Sequence, residues 1–112
     1  MTEIDKLLHI VKDITLRYGL DVFYLDFTDI TLISRFGLSP DIFIQIYVNI
    51  KKQKVNLALI VSGNRLYGLD KEGDYYHEHP FKNPDFHIKA KPAKIEDFVV
   101  KSIEYLKELG LI

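Results

Sequence analysis

The sequence predicts a single α+β domain, residues 1–112, with a central antiparallel meander of four to six strands and an N-terminal and a C-terminal helix packed on one of its faces. Three observations carry that prediction. Apolar residues recur at helical spacing at both ends of the chain, they alternate strictly through the middle, and short turn signals separate the alternating runs.

At the N-terminus, Thr2 and Asp5 form a capping-box pattern with Asp in place of Glu. Ile4, Leu7, Leu8, Val11, Ile14 and Tyr18 then follow one helical stripe as far as Gly19, so the first helix spans residues 3 to 18. The next stretch, DVFYLDFTDITLISRFG, switches to β-type residues and changes phase near Asp29, which fits either a bulged long strand or a tight hairpin. Ile42, Ile44, Ile46, Val48 and Ile50 alternate with Phe43, Gln45, Tyr47 and Asn49, and Val55, Leu57, Leu59 and Val61 repeat the pattern after KKQK. A third strand, RLYGLD, follows a hairpin turn centred on Gly63 and Asn64, and a fourth, YYHEH, follows KEGD. The proline-bearing stretch from Pro80 to Lys94 reads as a loop leading to a last helix marked by Ile95, Phe98, Val99, Ile103 and Leu106 and capped by Gly110.

Composition narrows the chemistry. The chain has no cysteine, which excludes disulfides, thiolate nucleophiles and zinc–thiolate sites, and it has no run long enough to span a membrane. Both features fit a cytoplasmic protein with no membrane partner. Heavy use of Ile, Lys and Tyr fits an archaeal or thermophilic source or an AT-rich genome. A net charge of −1 argues against a surface that grips phosphates everywhere, although the bases gather in the second half, around KKQK and from Lys82 to Lys94. No Gly-rich phosphate loop, Gly-x-Ser-x-Gly or His-Glu-x-x-His motif is present.

The chemistry-bearing residues concentrate in GDYYHEHPFKNPDFH. Pairing Lys51 with Lys54, Ser62 with Arg65 and Lys71 with Asp74 sets a register in which Tyr75, His77, His79 and Asp70 share the Ile/Leu/Val face under the helices. In that register Gly68 lies opposite His77 and leaves room beside it, and Asp70 lies diagonal to it as an orienting carboxylate. His77 and His79 are then the candidate general base and acid, with His87, Asp70 and Tyr75 as further candidates for the catalytic set and Arg65, Lys82 and Lys89 as candidate substrate-binding bases. The three histidines also allow a small metal-binding site, although no metal or other cofactor is expected. The opposite face collects Phe43, Tyr47, Tyr67 and Tyr76, which predicts a homodimer through that aromatic surface.

The stretch VNLALIVSGNRLYGLDKEGDYYHEHPF, followed by NPDFH, resembles the TumE-like toxins of toxin–antitoxin modules, small proteins with a His- and Pro-rich segment. The resemblance covers residues 41 to 106, rests on His77, His79, Pro80 and His87 with Arg65, Tyr67 and Asp70 before them, and lacks the family's Asp-Asn pair and denser histidine cluster. It implies a toxin-like protein with a cognate antitoxin protein as partner and RNA as the target, acting by RNA cleavage or translation inhibition. A non-catalytic interaction protein with structural histidines is the alternative that composition leaves open.

Overall fold

Reciprocal capping starts the first helix where the sequence places it: the Asp5 amide donates to Thr2 Oγ1 and the Thr2 amide donates to Asp5 Oδ2, each at 3.0 Å. The Thr2 backbone amide, and then its hydroxyl, hold the Asp5 carboxyl below its usual range. The computed structural model describes all residues from Met1 to Ile112. After α1 (Glu3–Tyr18) come seven strands, β1 (Asp21–Phe27), β2 (Thr31–Ser39), β3 (Ile42–Asn49), β4 (Lys54–Val61), β5 (Asn64–Glu72), β6 (Tyr75–His79) and β7 (Ile88–Lys89), and then α2 (Ile95–Glu108). They form one antiparallel sheet whose spatial order is the chain order.

The fold class is therefore α+β as expected, but the sheet has seven strands rather than four to six. Two sources account for the excess. The phase change near Asp29 is a hairpin joining β1 to β2, and the Pro80 to Lys94 stretch returns to pair Lys89 with His77 and Ile88 with Glu78.

Ile44, Ile46 and Val48 of β3, Leu57 and Leu59 of β4, and Leu32 and Phe36 of β2 are buried in one cluster with Ile4, Val11 and Ile14 of α1 and Phe98, Val99 and Leu106 of α2. The helices also bond to each other across the top of this layer. Tyr18 donates to Glu96 Oε2 at 2.8 Å and Arg17 pairs with the same carboxylate, and these two groups, Tyr18 first, hold Glu96 below the ordinary carboxylate range. No helix is long and apolar enough to cross a membrane.

Register departs from expectation at one decisive place. The β3–β4 pairing (Ile46 on Leu57) and the β5–β6 pairing (Asp70 on His77) each slide by an even number of positions from the expected match, which leaves side chains on their expected faces. The β4–β5 turn is Ser62-Gly63, both at positive φ (50° and 80°), a type I′ geometry one residue earlier than expected. Beyond it the register shifts between Leu59, opposite Tyr67, and Ile60, opposite Arg65, so Leu66 is an extra residue in β5. One odd step inverts the faces of everything that follows.

Tyr67 and Leu69 are consequently in the core, and Tyr67 stacks on Phe98 with ring centres 4.7 Å apart. Phe43 and Tyr47 sit on the opposite side of the sheet from Tyr67 and Tyr76, so the aromatic dimer face expected from Phe43, Tyr47, Tyr67 and Tyr76 does not exist as one surface. Burial, and then the charge of Glu78, push the Tyr67 phenol well above its usual range. A phenol raised in this way contributes stability that is complete below the unfolded value of about 10 and declines as pH rises past it. The urea midpoint should fall between about pH 9 and 11 more steeply for the wild type than for Tyr67→Phe. Equal slopes for the two proteins would remove Tyr67 as a source of alkaline sensitivity.

Candidate functional site

Gly68, Asp70 and Glu72 alternate along β5, and Tyr75, His77 and His79 along β6. The pairing of Gly68 with His79, Asp70 with His77 and Glu72 with Tyr75 gathers all six on one face, to which β7 adds Lys89 opposite His77. Because of the extra residue at Leu66, that face is the one opposite the helices. The expected placement of Asp70, Tyr75, His77 and His79 under the helices is thus reversed, while their grouping stands.

Arg65 occupies the space that Gly68 opens. A side chain at 68 would collide with the Arg65 guanidinium, which lies across the strand and donates from Nη2 to Asp70 Oδ1 at 3.0 Å and to the Leu57 carbonyl at 3.3 Å. Asp70 Oδ2 is 2.9 Å from His79 Nε2, and His79 Nδ1 is 2.9 Å from the Pro84 carbonyl. Each ring nitrogen of His79 is thus engaged by an oxygen, Nε2 by the Asp70 carboxyl and Nδ1 by the Pro84 carbonyl. His79 is buried and has no nitrogen free for a substrate. It acts as a bracket between β5 and the segment after Pro80.

That segment is anchored a second time. Phe81 stacks on Tyr105 of α2 with ring centres 4.2 Å apart, and Lys82 donates to Glu108 at 3.0 Å. Lys82 is therefore bound at the far end of α2 rather than gathered with the histidines. His87 returns to the cluster, packing edge to face on His79 at 4.3 Å between ring centres and standing 6.5 Å from His77.

His77 and His87 are both exposed, and with Asp70, Glu72 and Tyr75 they line a cleft of about 240 Å³. On the other side of His87 is a wider depression of about 560 Å³, bounded by Asn64, Arg65, Leu66, His79, Pro84 and Asp85. No three His, Asp or Glu side chains are arranged to hold a metal ion. Of the residues singled out from sequence, the structure brings together His77, His79, His87, Asp70, Tyr75, Arg65 and Lys89, and leaves Lys82 outside. Asp70 is engaged by Arg65 and His79, where the sequence paired it with His77. The Pro84 carbonyl, missed from sequence, carries no side-chain signal; the mid-strand Gly68 did signal a close approach, but by Arg65 rather than by an imidazole. Compared with known proteins, the chain matches no protein-family model, no curated protein and no solved structure.

Proposed function

We propose that this chain is a toxin-like protein that cleaves RNA by acid–base catalysis in the cleft between His77 and His87, and that a cognate antitoxin protein restrains it. The observation that carries the reading is the pair of exposed imidazoles, 6.5 Å apart, that border one cleft above a bracketed Asp70–His79 pair. In-line attack of a ribose 2′-hydroxyl on the adjacent phosphorus needs one group to take the hydroxyl proton and another to protonate the leaving 5′-oxygen. The nucleophile belongs to the substrate, so a chain without cysteine can perform the step.

One neutral and one protonated imidazole on opposite sides of a phosphate meet that requirement. His77 and His87 take these roles here, replacing His79, whose nitrogens are occupied. Lys89, across the strand pair from His77, supplies positive charge for the phosphate, and Tyr75 offers an exposed ring for a base. Arg65 and Asp70 position the cluster through His79.

The untagged protein, incubated with an oligoribonucleotide in the presence of a chelator, should yield 2′,3′-cyclic phosphate and 5′-hydroxyl ends. A substrate carrying 2′-deoxyribose at the cut site should stay intact. If the RNA survives and expression without the antitoxin leaves growth unchanged, the catalytic reading fails and a non-catalytic interaction protein takes its place.

A further inference from the structure

The strand DVFYLDF, β1, is one of the two outer strands of the sheet and every one of its residues is exposed. Val22, Phe23, Tyr24, Leu25 and Phe27 keep between 39% and 51% of their surface open, and Ile30 in the following turn is exposed as well. The register places Val22, Leu25 and Phe27 opposite Phe36, Ser34 and Leu32, on the helix side of the sheet. The core cluster takes Leu32 and Phe36 from β2 but nothing from β1, so on this edge of the sheet the buried layer stops at β2.

Edge strands of monomeric proteins are commonly blunted by lysine, by proline or by an inward charge, because an open row of backbone donors and acceptors recruits another strand. β1 has no proline and no base; its charges are Asp21 and Asp26, which pair with Gly37 and Ile33 on the side away from the helices, and the bulge at Phe23 is the one break in its ladder. We propose that β1 is a self-association edge, and that its occupant is β1 of a second copy of this chain, paired antiparallel about Leu25.

Two features of β1 and its neighbour select a second copy over another strand. With Leu25 opposite Leu25 of the second copy, Phe27 falls beside the bulged Phe23, and the apolar side chains meet across the two-fold axis. The same register sets Tyr24 across from Asp26 of the other copy. Arg35, directly opposite Tyr24 on β2, lies under that pairing with its guanidinium 5.4 Å from the Tyr24 ring centre. Its Nε donates to Gln45 at 2.9 Å and no carboxylate of its own chain pairs with it, so the charge of Asp26 from the second copy is complementary to it, twice per dimer. Three half-exposed aromatic rings and three aliphatic side chains amount to roughly 500 Å² per copy, to which the backbone edge adds, against about 800 Å² per partner in a standard interface.

Light scattering on the wild type at micromolar concentration should give twice the chain mass of 13.1 kDa. Leu25→Lys should give the single-chain mass with an unchanged far-ultraviolet spectrum, since Leu25 is exposed and packs on nothing in the core cluster. Leu25→Cys, in a chain with no other cysteine, should form covalent dimers on mild oxidation, because directly opposed residues of an antiparallel pair stand within disulfide reach. A wild type at single-chain mass overturns the proposal. So does a Leu25→Lys protein that is still dimeric, or a Leu25→Cys protein that stays uncrosslinked.

Discussion

On the proposed ribonuclease reading, His77→Ala and His87→Ala are each expected to slow RNA cleavage by roughly 10²- to 10⁴-fold, the range that one positioned acid or base contributes, with the melting temperature left where it was. Both side chains are exposed, and neither makes a hydrogen bond that the fold would miss. His79→Ala is the contrasting case. It strips Asp70 Oδ2 and the Pro84 carbonyl of their partner inside the protein, and should cost about 1–3 kcal/mol, seen as a drop in melting temperature. Activity assayed well below that temperature should fall less than in either of the other variants. If His77→Ala cleaves at the wild-type rate, the catalytic pair is misassigned, whatever happens at His79.

Phe98→Ala is expected to destabilise the protein by about 3–5 kcal/mol, a large part of the 5–15 kcal/mol available to an ordinary domain. Phe98 is fully buried and stacks on Tyr67 with its ring plane only 7° from parallel; Tyr67 meets Tyr105 edge on, and Tyr105 stacks on Phe81. Truncation removes the first ring of a chain that ends on the segment carrying His87. Urea unfolding would measure the loss. A change below about 1 kcal/mol would mean that the neighbours close the cavity, and that the rings are not acting as a unit.

Much of this architecture was legible in the amino-acid order. The capping box at Thr2, the helical stripe from Ile4 to Tyr18 and the alternation of β3 and β4 are local signals, and local signals survive folding. The grouping of Asp70, Tyr75, His77 and His79 was legible for the same reason, since a short turn joins their strands. Which side of the sheet they occupy was not. That depended on Leu66, which is apolar and β-compatible and looks like any other strand residue, yet is passed over in the pairing so that Tyr67 can reach Phe98. The gain that decides the matter is the burial of Tyr67 and Leu69 against α2 and β4, a tertiary effect with no trace in the turn sequence. The return of β7 was hidden likewise, because two paired residues within a proline-bearing stretch leave no alternation to detect.

The identity between strand order and chain order has a kinetic meaning. Each ladder of the sheet closes through the loop that joins its own two strands, so the sheet can grow by successive hairpins, each on a timescale of about 1–10 μs. The bonds that join the ends of the chain are different in kind: Arg17 and Tyr18 reach Glu96 across 79 and 78 positions, and that closure is favourable only after the intervening strands have drawn the ends together. We expect docking of α2 to follow the rate-limiting barrier. The destabilisation in Phe98→Ala should then appear as faster unfolding with a nearly unchanged refolding rate, and slowed refolding would place α2 inside the transition state instead.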